Sequence, residues 1–515
     1  MLQVRNLTIT HKKDNRVLLD KFNLILNDGD KCAIIGEEGN GKSTLLKLIT
    51  GEELVEDYVE FSGEIIRNNN VIGYLAQELK PEEKAKTIYE FMCELSMFLE
   101  LTPHELADAG RKLKLTVDLF YSEQKMGELS GGEKIKLQLA RLMLAHPDVL
   151  LLDEPSNDLD IDSLHWLERF ISEAKIPVLY ISHDETLLEN TANKIVHLEQ
   201  LKRKQECKYT VEKAGYREYV DRRISGLAHQ EQVARKERAE YEKQQEKFRQ
   251  IQQKVEHAQN VVSRQNPSGG RLLKKSMHRI KAYEARFEKE YENMTEIPET
   301  EDAIFIKFGE KASMPAGKTV LEYELPQLTV DGRVLAKDIF LRMKGPEKVC
   351  IIGRNGCGKT TLLRQIAKEL LERKDIKVSY MPQNYEELLD MGQTPVEFLS
   401  EIGDKEEISR IRTYLGSMKY TPDEMMHKIA DLSGGQKAKL LLLKMSMSGS
   451  DVLILDEPTR NFSPLSGPVI RDMLTGFGGA ILTISHDRKY IKEVADVVYE
   501  LTENGLKRME KETLE

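Results

Sequence analysis

The chain has no run of 18 or more apolar residues, whereas a helix that crosses a membrane needs about 20. Its opening segment, MLQVRNLTIT, has no charged stretch followed by an apolar one, so neither a membrane span nor a secretory signal is expected. Cysteine is scarce. Cys32, Cys93, Cys207, Cys350 and Cys357 are odd in number, and no pair stands at metal-ligand spacing, which reads as reduced thiols in a cytoplasmic protein. What is present fits a soluble globular protein, with 40% hydrophobic and 31% charged residues. At roughly 150 residues per domain, 515 residues exceed a single core and suggest three or four domains. Charge is unevenly spread. The net charge is −10, yet residues 201-290 hold 23 Lys and Arg against 13 Asp and Glu, so the remainder carries −20. A basic element on two acidic bodies suits a polyanionic partner.

Five segments occur twice in the same order. GEEGNGKS at 36-43 returns as GRNGCGKT at 353-360, and YLAQE around Gln77 as YMPQN around Gln383. LSGGE at 129-133 returns as LSGGQ at 432-436, VLLLDEP at 149-155 as VLILDEP at 452-458, and YISHD at 180-184 as TISHD at 483-487. The offsets are 317, 306, 303, 303 and 303 residues, so the halves differ by small insertions and not by rearrangement. Domains are expected at about 1-200 and 318-515.

Each half alternates short apolar runs (KCAIIG, VLLLD, VLYISH; KVCIIG, VLILD, AILTISH) with longer amphipathic segments. That alternation predicts an α/β fold with a mostly parallel sheet. The middle, 201-317, reads differently. Leu227 to Ser263 contains neither proline nor glycine, and as a helix its 37 residues would extend about 55 Å. Asn266, Pro267, Ser268, Gly269 and Gly270 break the pattern, and a second helical stretch is predicted from Arg271 to about Tyr291. The expectation is a long helical hairpin between two nucleotide-binding domains.

A Gly-x-x-x-x-Gly-Lys-Ser/Thr loop after an apolar strand lets backbone amides wrap phosphates at a helix N-terminus. Lys42 and Lys359 would neutralise the β- and γ-phosphates, and Ser43 and Thr360 would offer a hydroxyl to Mg²⁺. The remaining loop positions, Gly36, Glu37, Glu38, Gly39, Asn40, Gly41 and Thr44, with Gly353, Arg354, Asn355, Gly356, Cys357, Gly358 and Thr361, are taken as nucleotide contacts. In VLLLDEP and VLILDEP a buried strand delivers two acids: Asp153 and Asp456 for the Mg²⁺ shell, Glu154 and Glu457 to orient or deprotonate attacking water. His183 and His486 stand where a side chain can contact a γ-phosphate. A lone histidine at a strand end is more often structural; its return in register argues otherwise.

With these motifs the halves resemble ATP-binding-cassette (ABC) ATPases, P-loop domains whose mark is the LSGG signature. The resemblance implies that Ser130, Gly131 and Gly132 cover a nucleotide on the loop 353-360, and that Ser433, Gly434 and Gly435 cover one on 36-43. It implies that Gln77 and Gln383 sense Mg²⁺ and the γ-phosphate, and that two head-to-tail domains close on ATP and hydrolyse it. Two departures stand out. ITHKKDNRVLL and LTVDGRVLA offer no aromatic residue for adenine, though His11 is a substitute in the first half, so loose base selectivity with GTP accepted is expected. The first half continues SNDLD with Asp160, whereas the second reads TRNFSPLS with Ser463 at the matching position. Unequal sites follow, the one at 36-43 being altered.

Between Glu256 and Glu284 stand Arg264, Arg271, Lys274, Lys275, Arg279 and Lys281 and no acid, a composition suited to a phosphate backbone. A basic hairpin between tandem cassettes resembles the ABC-F family, whose members bind the ribosomal exit site. EPTRNFSPLS and the absence of a large insertion in the first half resemble its bacterial antibiotic-resistance branch. The resemblance implies ATP-driven entry to the E site of the 70S ribosome, with the linker tip at 260-273 meeting 23S rRNA and P-site tRNA. It also implies relief from lincosamides, pleuromutilins and streptogramin A. A monomer without a membrane partner is expected, since both halves of the ATP sandwich lie in one chain. Alternatives are a housekeeping ABC-F translation factor, the ATPase subunit of a membrane transporter and a DNA-repair ATPase.

Overall fold

A computed structural model describes residues 2–202, 204–261, 314–330 and 332–511, with the short segments 282–283, 286–287, 291 and 294–298. The apolar runs of each half form one six-stranded sheet. In the first half the strand order is Ile72–Leu75, Val149–Asp153, Val178–Ile181, Lys31–Ile35, Lys194–Leu201, Glu206–Glu212. In the second it is Val378–Met381, Val452–Asp456, Ala480–Ile484, Lys348–Ile352, Val497–Thr502, Gly505–Met509. All neighbours are parallel except the last pair in each sheet. Because helices cover both faces, the central strands read as unbroken apolar runs rather than alternating ones. Every residue of Lys31–Ile35, Val149–Asp153 and Val178–Ile181 is buried.

Each half also carries an antiparallel layer. Leu2–His11 lies between Val17–Leu26 and Val59–Ile66, and Thr319–Val330 pairs with Arg333–Lys344. Here one face meets the core, as the alternating burial of Val17–Leu26 requires. The helix Lys42–Thr50 is clamped between sheet and layer: Leu45, Leu46, Leu48 and Ile49 are wholly buried in one cluster with Ile34, Leu151 and Leu179. A fully buried leucine contributes about 1.5–3 kcal/mol. Leu151→Ala would leave a cavity beneath that helix at a cost of about 2–5 kcal/mol.

Residues 217–300 form a compact unit distinct from the rest of the chain. Its first arm belongs to a 46-residue helix, Tyr216–Val261, about 69 Å long at 1.5 Å per residue. Returning residues pack on this helix. Tyr241 meets the rings of Phe287 and Tyr291 at 5.9 and 5.7 Å, Phe248 meets Phe287 at 5.4 Å, and the Thr295 amide donates to Glu237 Oε2 at 2.7 Å. The helix starts before the predicted Leu227. Most of the predicted second helix from Arg271, and residues 262-273 of the predicted tip, lie outside the described residues. Among the described residues no helix is long and apolar enough to cross a membrane.

Candidate active site

The parallel register brings the motifs together. Asp153 pairs with Ile181 and Ile34 also pairs with Ile181, so the loop after Ile35, the acids after Leu152 and His183 all emerge at the carboxyl ends of neighbouring strands. Ligands of open α/β sheets bind at such ends. In the first loop Gly36, Gly39 and Gly41 have φ of 142°, 84° and 86°, a region closed to most side chains. A Cβ on Gly36 would stand 2.2 Å from the Leu198 carbonyl oxygen, and one on Gly353 2.9 Å from that of Leu501. Lys42 Nζ donates to the Gly36 and Glu37 carbonyls at 2.8 and 2.9 Å, and Lys359 Nζ to those of Gly353 and Arg354 at 2.7 and 2.9 Å. Each ammonium thus sits at the centre of its own loop. Asn40 donates to the Leu198 carbonyl at 3.0 Å and braces the loop from beneath.

Glu154 and Glu457 both have φ of 51°, unusual for a long side chain and a strain that functional sites store. Their amides donate to the Ile181 and Ile484 carbonyls at 3.1 and 2.9 Å, which fixes each carboxylate at the strand end. The two then differ. Glu154 Oε1 lies 2.8 Å from His183 Nε2, whereas Glu457 Oε1 lies 3.8 Å from His486 Nε2. Burial pushes the Glu154 carboxyl up, but the His183 imidazole more than offsets it and the pKa is lowered. Burial, with Asp456 alongside, pushes Glu457 up to about 8, and burial with Lys359 nearby pushes His486 down to about 3. Burial also raises Asp153 and Asp456, offset in part at Asp153 by the Ser43 hydroxyl. Ser43 Oγ donates to Asp153 Oδ1 at 2.9 Å.

These residues fit ATP with Mg²⁺. Both Asp456 carboxyl oxygens, Glu457 Oε1 and Glu154 Oε2 are buried without a hydrogen bond, and buried carboxyl oxygens demand a proton, a cation or water. Ser43 and Asp153, and Thr360 and Asp456, would hold Mg²⁺; the lysines and loop amides would hold the phosphates. Bound there, Mg²⁺ would neutralise phosphate charge as the terminal phosphoryl group departs. The protein's own part would be to align the phosphates and to offer Glu154 or Glu457 to an attacking water.

The signature segments read locally as capping boxes, S-x-x-E and S-x-x-Q. Ser130 caps the helix Gly131–Leu144 with Glu133 reaching back to its amide at 3.0 Å, and Ser433 caps Gly434–Ser448 with Gln436 reaching back at 3.0 Å. Both serine oxygens accept the amide of the third helical residue. A cavity of about 730 Å³ separates Ser130 and Gly131 of the first domain from the loop of the second, and is lined also by Gln383, Asp456, Glu457 and His486. That lies within the roughly 300–1,000 Å³ of small-molecule sites. Across it Asn355 Nδ2 donates to the Asp158 carbonyl and Arg460 pairs with Asp158 Oδ1 at 3.0 Å; within the first domain Asp160 caps the helix Ile161–Glu173.

At the opposite junction the first phosphate loop contacts the second domain directly. Glu38 Oε2 accepts the Gly435 amide, while Glu37 Oε2 lies 3.1 Å from Lys439 Nζ and Glu37 Oε1 accepts Ser466 Oγ at 3.0 Å. Lys439 and Ser466 are not foreseeable from sequence, and Tyr74, whose hydroxyl donates to Asp153 Oδ2 at 3.3 Å, is a further residue the motifs do not include. The tyrosine does carry a signal, since Tyr74 and Tyr380 both repeat three residues before the glutamine. Gln77 is exposed, and Ser463 is buried, its Oγ accepting the Leu465 amide at 3.3 Å.

The ABC transporter family model matches residues 19–157 and 336–460, more than half of the chain. ABC transporter F family member 2 of Arabidopsis thaliana is 28% identical over 93% of this chain and 73% of its own length. ATP-binding protein Uup of Escherichia coli is 27% identical over 92% of this chain and 76% of its own length. Among solved structures, a complex of archaeal ribosomal stalk protein aP1 with the archaeal ribosome recycling factor aABCE1 shares the fold, with a TM-score of 0.58 and 17% identity over 96% of this chain and 87% of that one. Two loops, two signatures and two acid pairs lie in this one chain, and it belongs to that family as a tandem ABC ATPase of the ABC-F type, an enzyme that hydrolyses ATP.

Proposed function

We propose that this ATPase works on the 70S ribosome. ATP and Mg²⁺ close the domains 1-200 and 318-515, the closed form enters the E site beside 23S rRNA and P-site tRNA, and hydrolysis releases it. Before that release, while the closed form is bound, the linker 201-317, with its tip at 260-273, displaces lincosamides, pleuromutilins and streptogramin A from the peptidyl-transferase centre and gives resistance. Glu154 and Glu457 activate water, His183 and His486 contact the terminal phosphate, and Ser43, Gln77, Asp153, Thr360, Gln383 and Asp456 serve Mg²⁺. The protein acts as a cytoplasmic monomer without a membrane partner.

The observation that carries this reading is charge. Residues 201-290 are +10 in a chain of −10, and no acid interrupts the six cations between Glu256 and Glu284. Phosphate backbones are bound by such segments. The name of aABCE1 as a ribosome recycling factor supports the same partner. A second reading, a housekeeping translation factor, is favoured by the relatives named above, since neither the plant protein nor Uup is named for drug resistance. Lincomycin and tiamulin susceptibility of cells expressing the protein separates the two. Raised resistance with the wild type, lost in Glu154→Gln with Glu457→Gln, supports drug protection; ribosome association without raised resistance supports the housekeeping role.

A further inference from the structure

The two phosphate loops differ most at their second and third positions. Loop 36-43 carries Glu37, Glu38 and Lys42, a net charge of −1, whereas 353-360 carries Arg354 and Lys359, a net of +2. The difference lies beside the phosphates.

Position decides what each side chain does. Asn355 can donate a hydrogen bond, and it does so to the Asp158 carbonyl, leaving the N-terminus of the first signature helix facing a cavity of about 730 Å³. Glu38, its counterpart, can only accept when ionised. It turns instead to the second signature helix and takes the Gly435 amide. A Cβ on Gly434 would meet Glu38 Oε2 at 3.3 Å and one on Gly435 would meet it at 3.2 Å, so the carboxylate packs directly against the helix end. Glu37 holds the loop in this place through Lys439 and Ser466. The N-terminus of a 15-residue helix is a seat for an anion, and here the anion is the phosphate loop's own carboxylate.

We propose that Glu38 is a specificity-determining residue that makes the site built on 36-43 prefer nucleoside diphosphates to triphosphates. A terminal phosphate covered by the second signature helix needs the amide that Glu38 holds, and it brings negative charge against that carboxylate. A diphosphate lacks the third group and leaves the contact between Glu38 and Gly435 intact. The site on 353-360 has no such competitor and takes the triphosphate. Nothing in this depends on which macromolecule the ATPase works on.

Equilibrium titration of the isolated full-length protein with fluorescent ADP and ATP analogues tests the proposal without reading turnover. In a Lys359→Ala background, which leaves 36-43 as the intact loop, ADP is expected to bind more tightly than ATP. Adding Glu38→Asn should tighten ATP by roughly tenfold or more, the worth of one charge-assisted hydrogen bond, and change ADP far less. Equal shifts for both nucleotides, or no shift, would overturn it. The reciprocal variant, Asn355→Glu in a Lys42→Ala background, guards against a fault in the first protein. It should create an ADP preference at 353-360, and an unchanged ATP to ADP ratio there would count equally against the proposal.

Discussion

Arg471 of the second domain grips Glu185 of the first with both prongs of its guanidinium, Nη1 lying 2.6 Å from Oε1 and Nη2 3.3 Å from Oε2. Both residues are buried, and Lys489 reaches the same carboxylate at 3.0 Å. Glu185 begins the helix that follows His183 and Asp184, and Arg488 pairs with Glu168 and Asp184. Charges at this junction therefore tie the two histidine segments to one another.

Removing one partner from a buried pair leaves an uncompensated charge, which costs about 3–5 kcal/mol. Arg471→Ala is expected near the lower end, because Lys489 remains beside Glu185. A double-mutant cycle with Glu185→Gln in urea unfolding measures the coupling; purely additive losses would show the pair to be unimportant.

The two general-base candidates should not be equivalent. Removing a positioned base costs roughly 10²–10⁴ in rate, and a cavity of about 730 Å³ lies before Glu457 whereas at the opposite junction Glu37 and Glu38 hold Lys439 and the Gly435 amide of the second signature helix. Glu457→Gln is thus expected to remove most ATP turnover, and Glu154→Gln a smaller share. Phosphate release from each variant checks this, and equal losses would contradict it.

Most of the chemistry is legible in the order of residues alone. Buried strands such as VLLLD and VLILD, and the glycine spacing of the phosphate loops, need no tertiary information because burial on both faces and positive φ write themselves into composition. What stays hidden depends on partners remote in sequence. Glu37 meets Lys439 across 402 residues and Glu38 meets the Gly435 amide across 397, and a charged residue in a phosphate loop carries no local mark of that. The LSGG serines also cap their own helices, which the S-x-x-E and S-x-x-Q spacings do encode.

Glycines of the first loop should respond unequally to alanine. A Cβ on Gly36 would collide with the Leu198 carbonyl, whereas one on Gly39 meets nothing within 4 Å and bears only the strain of a positive φ, about 1–2 kcal/mol. Gly36→Ala should abolish nucleotide binding to that loop, and Gly39→Ala should weaken it modestly, as titration with a fluorescent nucleotide will report. Similar affinities for the two variants would refute the packing argument.

A pH-dependent contribution sits in the second domain. Glu407 accepts the amides of Glu401, Ile402 and Gly403 and the Ser400 hydroxyl. These hydrogen bonds, the Glu401 and Gly403 amides foremost, hold its carboxyl down to about 2, against an ordinary 4.5. Since the folded pKa lies below the unfolded one, the stabilisation is complete above 4.5 and disappears as pH falls through about 2. Glu407→Gln should lower the melting temperature at neutral pH, with the gap to wild type narrowing in acid. A gap that is constant across that range would exclude the linkage.

ATP-gated ribosome binding is tested most directly by co-sedimentation of the Glu154→Gln, Glu457→Gln protein with purified 70S particles in ATP or in ADP. Pelleting with ribosomes in ATP, little in ADP, and release as salt rises is the expected result, the last because phosphate contacts are lost to counterions. A protein that stays in the supernatant in both nucleotides, or that pellets equally in both, would contradict it.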